Sequence, residues 1–277
     1  MQVVRSRAEV RRARAALPSP VGLVPTMGAL HAGHASLLAR ARRECAAVVA
    51  SLFVNPTQFG PHEDFARYPR DEAADLERFE AEGVDVVFVP PVEEVYPPGA
   101  STSVEVGRLG EVLEGAARPG HFRGVATVVT VLLMLTAPQR AYFGQKDGQQ
   151  TVVVRRLVRD LGLPVEVIVG ATVRDADGLA LSSRNAYLSP EERRAAPVLY
   201  RALEAAREAH AAGERDGEQL RQLMRATVTA EPLARLDYAS AADLESLEEL
   251  AVLDRPALLS LAVRFPSARL IDCLVLS

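Results

Sequence analysis

His31 and His34 stand three residues apart in VPTMGALHAGH, residues 24–34, a turn that also carries Gly28 and Gly33. Side chains at i and i+3 of a helix start face the same way, and the N–H groups and dipole of such a start favour an anion. Two imidazole donors, beside a loop that glycine opens to close backbone approach, suit the phosphates of a nucleotide. Taken alone, H-x-x-H also reads as an ordinary capped helix start. A zinc site is disfavoured, because the stronger metal spacing is H-E-x-x-H on a helix and no third ligand stands at a suitable spacing.

Three further stretches carry chemistry. In SLFVNPTQFG, residues 51–60, Asn55 and Gln58 follow a strand. Neutral amides offer donors and an acceptor at once, which suits hydroxyl and carboxylate groups. In YFGQKDGQQ, residues 142–150, Lys146 is a compact charge for phosphate oxygens and Asp147 suits a ribose hydroxyl or a metal-bound water, while Gln149 and Gln150 open a helix. Of the 32 lysines and arginines only residue 146 is a lysine, which points to a need for an ammonium there; a bias toward Arg and Ala, from genome composition or life at high temperature, explains the scarcity but not the location. Asparagine is as scarce, occurring only as Asn55 and Asn185, each in a turn-like segment. In LALSSRNAYLS, residues 179–189, Ser182, Ser183 and Arg184 supply two hydroxyls and a guanidinium suited to polyphosphate, on a loop placed to close over a site. Cys45 and Cys273 are too few and too far apart for a disulfide framework or a cysteine zinc site, and both read as buried small hydrophobes.

These stretches sit at the ends of predicted elements. VGLVPT reads as a strand, ASLLARARRECA as a helix and AVVASLFV as a second strand, which is a βαβ unit. The alternation continues through AADLERFEAEG (helix), VDVVFVP (strand), GVATVVTVLLMLT (buried helix), RAYFG (strand), GQQTVVVRRLVRDLG (helix) and PVEVIVG (strand). Repeated units of this kind imply a parallel sheet covered on both faces, with ligands at the carboxyl ends of its strands. Beyond about residue 175 the signal changes. SPEERRAAPVLYRALEAAREAH reads as a helix with Ser189 as N-cap, Pro190 in the first turn and Glu192 closing a capping box. A helix in GEQLRQLMRATV, a strand in LDYASA and a β-hairpin turning at Pro266 and Ser267 complete a smaller α+β part, joined through RDADGLALSSRN.

The 277 residues, 48% of them hydrophobic, allow a sizeable core and two domains. The longest apolar run, Val125 to Ala137, falls short of the roughly 20 residues a membrane helix needs, so no membrane anchor is expected. MQVVRSRAEVRRARAAL reads as a basic surface helix without the apolar core of a signal peptide, and the expected location is cytoplasmic. A net charge of −4 with no long basic block argues against nucleic acid as a partner and for small molecules.

The H-x-G-H turn between strand and helix resembles the signature of the nucleotidyltransferase superfamily that includes class I aminoacyl-tRNA synthetases. With PTMGALHAGH, SLFVNPTQFGPHEDFARYPRD, YFGQKDGQQ and LALSSRNAYLS in this order, essentially the whole chain is similar to the pantothenate synthetase (pantoate–β-alanine ligase) family. The resemblance implies an α/β fold in which a Rossmann-like parallel sheet, residues 1–175, binds nucleotide and pantoate, and a smaller α+β domain, residues 176–277, acts as a lid. It implies an ATP-dependent ligation: pantoate's carboxylate attacks the α-phosphate, pyrophosphate leaves, and the amine of β-alanine attacks the enzyme-held pantoyl adenylate to give pantothenate and AMP.

By the same resemblance, Met27, Gly28, Ala29, Leu30, His31, Ala32, Gly33, His34, Gly144, Gln145, Lys146, Asp147, Val173, Leu181, Ser182, Ser183 and Arg184 line the ATP site. His34 is the proton donor, and His31, Lys146, Ser182, Ser183 and Arg184 are further catalytic donors. Gln58 and Gln150 hold pantoate, Gln58 lies near β-alanine too, and Asn55 joins them as a substrate-binding candidate. Mg²⁺ is expected with the ATP phosphates, and a homodimer is expected. The chain departs from the family pattern in two places. The segment EAADLER has Asp75 but no run of aspartates, so no protein metal ligand is assigned, and Gly148 stands where a larger, often aromatic, residue is expected, which loosens that helix start. A different adenylyltransferase would share the H-x-G-H turn but has no reason to carry N-P-x-Q-F and K-D-x-Q-Q together. A regulatory nucleotide-binding module could dispense with His31, His34 and Lys146. A tRNA-binding role is disfavoured by the acidic balance.

Overall fold

The runs VGLVPT and AVVASL form neighbouring parallel strands, paired from Val21 with Ala47 to Thr26 with Leu52, and every residue of the second is buried. A parallel strand at the centre of a sheet is covered on both faces, so its sequence is continuously apolar rather than alternating. In the computed structural model, which describes residues 1–61 and 63–277, six parallel strands make this sheet: β1 (Gln2–Val4), β2 (Val21–Thr26), β3 (Ala47–Leu52), β4 (Val86–Phe88), β5 (Arg140–Gly144) and β6 (Glu166–Gly170), in the order β1-β4-β3-β2-β5-β6. The intervening helices are α1 (Arg7–Ala15), α2 (Ala32–Glu44), α3 (Glu72–Ala81), α4 (Val92–Val95), α5 (Glu114–Ala117), α6 (His121–Thr136) and α7 (Gly148–Asp160). The order reverses between β2 and β5, the switch point at which such sheets bind ligand beyond their carboxyl ends. The expected α/β architecture holds.

Two compact units make up the chain, Met1–Gly144 with Val153–Gly170 and Gln145–Val152 with Ala171–Ser277. The second unit has an antiparallel sheet of β7 (Arg235–Asp243), β8 (Ala257–Arg264) and β9 (Arg269–Leu276), with β8 in the middle, and the helices α8 (Pro190–Ala195), α9 (Val198–Ala211) and α10 (Gly217–Thr229). One face of α9 (Val198, Leu199, Ala202, Leu203, Ala206) shares a buried cluster with Leu220 and Met224 of α10 and Leu259, Leu261 and Val263 of β8. That spacing is the apolar stripe of a core-facing helix.

Two elements differ from the sequence expectation. The N-terminal stretch is not a helix throughout: Gln2–Val4 is an edge strand pairing Val3 with Val87, and α1 begins only where Ser6 and Glu9 form a capping box. The helix expected over residues 189–210 is two helices, because Pro197 lacks the N–H that a continuous helix needs there. Its predicted cap is as expected, with Ser189 and Glu192 in a capping box. Among the described residues, no helix is long and apolar enough to cross a membrane.

Candidate active site

His31 is the N-cap of α2 and His34 its third residue, so the helix begins earlier than the expected start near His34. The cause is a reciprocal cap. His31 Nδ1 accepts the Gly33 N–H at 3.1 Å, and His34 Nδ1 accepts the His31 N–H at 3.3 Å. Imidazoles here stand in for the hydroxyl and carboxylate of the common capping box. The rings lie 4.1 Å apart between centroids, tilted by 43°. A nitrogen that accepts carries no proton, so each neutral ring holds its proton on Nε2. Several main-chain N–H groups of the turn are used within the fold: Ala29 and Leu30 donate to Asp75 at 2.8 Å each, and His34 and Ala35 donate to the His31 carbonyl.

Asn55 caps the 3₁₀ turn Pro56–Gln58. Its Oδ1 accepts the Thr57 N–H (3.3 Å) and the hydroxyls of Thr57 (2.9 Å) and Tyr96 (2.8 Å), and its Nδ2 donates to the Gly124 carbonyl (3.2 Å) and to Gln58 Oε1 (3.0 Å). A main-chain carbonyl only accepts and a main-chain N–H only donates, so the Asn55 amide has one orientation, and the Gln58 atom facing it is oxygen. Gln58 Nε2 is thereby turned to Met27, 3.2 Å from its Sδ. The first two motifs meet at this contact. α6 packs against the turn backbone to backbone: a Cβ on Gly124 would stand 2.4 Å from the Thr57 carbonyl oxygen.

Residues outside the four motifs hold the main chain of Gln58. Arg118 pairs with Glu63 at 2.8 and 2.5 Å, and its Nη1 donates to His121 Nε2 at 3.1 Å. A guanidinium cannot accept, so Nε2 must, and the His121 Nδ1–H donates to the Gln58 carbonyl at 2.8 Å. Burial, with the Arg118 charge adding to it, pushes the His121 imidazole down to about 4. Burial opposes ionisation of Glu63, but Arg118 outweighs it and holds that carboxyl below its ordinary range.

The 3₁₀ turn Gln145–Asp147 carries Lys146, whose Nζ lies 3.5 Å from Asp147 Oδ1. β9 grips this turn. The Cys273 thiol, pushed up to about 12 by burial and then by the neighbouring Asp272 charge, donates to the Gln145 carbonyl at 2.8 Å. The expectation of a buried cysteine holds, and the residue is a hydrogen-bond donor besides. Asp272 accepts Arg174 at 2.5 and 3.0 Å and the Cys273 N–H at 2.8 Å, contacts that oppose the upward push of burial on its carboxyl. Arg174 in turn lies 4.1 Å above the Tyr200 ring. Gly148 fills the position expected to be larger, since a Cβ there would stand 2.8 Å from both Cys273 Sγ and Leu258 Cδ1.

Val173 and Leu181 stand together: the Leu181 N–H donates to the Val173 carbonyl at 3.0 Å, and Arg174 bridges Ala180 beside them. The loop then enters the 3₁₀ turn Ser183–Tyr187, capped by Ser182 Oγ accepting the Arg184 N–H at 3.3 Å, while Asn185 Nδ2 ties back to the Ala180 carbonyl at 3.0 Å. The first two motifs thus belong to the first unit, and Lys146, Gln150, Val173 and the Ser182–Arg184 loop to the second.

A family model described as pantoate-beta-alanine ligase matches residues 2–275. The chain belongs to the pantoate–β-alanine ligase family. A pantothenate synthetase of Chloroflexus aggregans is 63% identical over 273 residues, covering 98% of each chain, and one of a Roseiflexus species is 61% identical over 276 residues, covering 100% of this chain and 99% of that one. The crystal structure of pantothenate synthetase from Thermus thermophilus superposes with a TM-score of 0.94 at 55% identity, covering 99% of both chains. That of the pantoate-beta-alanine ligase of Francisella tularensis, complexed with beta-gamma ATP and beta-alanine, superposes with a TM-score of 0.81 at 33% identity over 99% of this chain and 97% of that one. In this ligase-family chain, sequence reasoning missed Arg118, His121, Tyr96 and Cys273, and weighed Asp75 only as a metal ligand. Pro119 and Gly120 mark only the start of α6, and the contacts that give these residues their roles join positions far apart in sequence.

Proposed function

We propose that the protein joins pantoate to β-alanine, driven by ATP, through a pantoyl adenylate. The observation that carries this is the pair of Nε2–H donors that reciprocal capping fixes at the start of α2, in a chain whose whole length matches the ligase family. Attack of the pantoate carboxylate on the α-phosphate gathers negative charge there, and one preorganised donor at such a centre is worth about 3 kcal/mol. Pyrophosphate leaves as the bond from the carboxylate to the α-phosphorus forms; His34 supplies a proton to that leaving group, and His31, Lys146, Ser182, Ser183 and Arg184 supply the remaining donors. Gln58 and Gln150 hold pantoate. Asn55 serves the substrate by setting which end of the Gln58 amide is offered, with Nε2 as donor to a hydroxyl or carboxylate oxygen. Mixed-anhydride formation activates the carboxylate, and β-alanine's amine then displaces AMP.

ATP enters as a substrate. Among the described residues no three His, Cys, Asp or Glu side chains gather as a metal site, and both Asp75 oxygens already accept main-chain N–H groups. Mg²⁺ is proposed to arrive with the substrate, on the ATP phosphates, where it keeps most of its waters. A homodimer and a cytoplasmic location are proposed on the family's ground, and sedimentation equilibrium tests the former.

The test is pyrophosphate exchange into ATP, with and without pantoate, in wild type, His34→Ala and Lys146→Ala. Exchange that needs pantoate but not β-alanine, and that falls about 10²-fold or more in both variants, is expected. Exchange indifferent to pantoate overturns the substrate assignment.

A further inference from the structure

Asp75, in the first turn of α3, is 3% exposed, and its carboxylate accepts two consecutive main-chain N–H groups of the β2–α2 turn, Ala29 on Oδ2 and Leu30 on Oδ1, both at 2.8 Å. The turn it grips is conformationally demanding. Gly28 has φ +87° and Ala29 has φ +51°, a left-handed backbone that a residue with a Cβ rarely adopts unless its surroundings enforce it. The carboxylate is pressed against the chain here, since a Cβ on Gly28 would stand 2.7 Å from Asp75 Oδ2. From this turn the chain arrives at His31 in the extended conformation (φ −136°, ψ 176°) that an N-cap needs.

Each oxygen takes one amide, and charge-assisted bonds of this kind are about twice as strong as neutral ones. A buried carboxylate is costly without such partners, and its place in the first turn of α3 adds the favourable end of that helix's dipole. No neutral side chain reproduces the clamp: asparagine has one oxygen, and its NH₂ would face a second N–H head on. The clamp also turns the Ala29 and Leu30 amide dipoles toward Asp75, which leaves anion recognition at these positions to the histidine rings.

We propose that Asp75 is the positioning residue of the nucleotide turn: it touches no reacting atom, and it holds Gly28–Leu30 in the conformation that lets His31 and His34 exchange caps and keep their protons on Nε2. This rests on the assignment of that turn to ATP.

The imidazole ¹⁵N signals of the five histidines, assigned by substitution in the intact protein, read the tautomers directly. In the wild type His31 and His34 are expected as Nε2–H tautomers and His121 as Nδ1–H. In Asp75→Asn, His31 and His34 are expected to become tautomer mixtures while His121 keeps its signature, and pantoate-dependent pyrophosphate exchange is expected to fall at least about 10²-fold. Loss of the His121 signature as well would mean a general unfolding. Asp75→Glu, which keeps the charge and α3, then gives the answer through the same two signals. Unchanged His31 and His34 tautomers in a folded variant overturn the clamp. Altered tautomers with exchange within about threefold of wild type overturn its role in the reaction. Wild-type exchange that ignores pantoate would instead overturn the substrate reading, and the tautomer comparison would still decide whether Asp75 sets the turn.

Discussion

The His34 Nδ1 accepts the main-chain N–H of His31, and His31 Nδ1 accepts that of Gly33, so the rings proposed to act on ATP also begin the helix that carries them. An alanine substitution removes both roles at once. Asparagine separates them, because it is among the best N-caps but has no donor where Nε2–H stands. His31→Asn is expected to keep urea stability within about 0.5 kcal/mol while His31→Ala loses about 1 kcal/mol. Both variants are expected to lose exchange activity about 10²-fold. An active His31→Asn would assign His31 to the fold alone.

His121 gives the first unit a pH dependence of definite sign. Its folded value of about 4 lies below the ordinary 6.5, so between these two pH values the unfolded chain takes up a proton that the native protein does not. Stability then falls as pH is lowered through that window, by up to about 3 kcal/mol, and the charges that act on the ring are Arg118, Glu114 and Glu63. Denaturation of wild type and His121→Gln at pH 7 and pH 5 isolates the effect. The stability difference between the two proteins is expected to shrink or reverse at pH 5, and a constant difference would contradict the depressed value.

At Gly148 the expected larger residue is excluded by side chains of β8 and β9. Gly148→Ala forces a Cβ to within 2.8 Å of Cys273 Sγ and Leu258 Cδ1, and overpacking of this kind costs about 1–3 kcal/mol. Cys273→Ala removes one of the two obstacles along with the thiol's bond to the Gln145 carbonyl. A double-mutant cycle read by thermal or urea unfolding is expected to return a coupling energy of at least about 0.5 kcal/mol in the direction of relief. Strict additivity would mean that the two residues do not compete for this space.

The parallel sheet was legible because β2, β3 and β5 are short apolar runs bounded by turn residues, and the Ser189 cap was legible because a capping box is local. The four motifs could be read for the same reason. Each is a strand end or loop whose polar residues lie within a few positions of one another, as Asn55 and Gln58 do. The residues that orient them were not legible: Asp75 acts from 45 residues away and His121 from 63. Their spacing from their targets depends on how helices pack on the sheet, and no periodicity records that. The break at Pro197 lies inside a long helical pattern, and that pattern reads through it as one helix. Gly148 looked like a loosened helix start until the neighbours that fill its space were known.

The last prediction follows from the locked amide pair. In Asn55→Asp, an oxygen replaces the Nδ2 that now donates to the Gly124 carbonyl and to Gln58 Oε1. That one acceptor then faces two others in a buried place, and Gln58 relieves its share by rotating its amide, presenting Oε1 where Nε2 stood. A substrate carboxylate or hydroxyl oxygen that bound a donor would meet an acceptor instead. Leaving buried groups unsatisfied costs about 1–3 kcal/mol, so the variant is expected to be less stable but folded. Initial-rate kinetics are expected to show the KM for pantoate raised about tenfold or more, with the KM for ATP within about twofold, since a lost uniform contact appears in KM. Asn55→Ala leaves Gln58 able to take either orientation and is expected to raise the pantoate KM less than Asn55→Asp. An Asn55→Asp protein that is folded and binds pantoate normally would show that the orientation of Gln58 does not govern substrate binding.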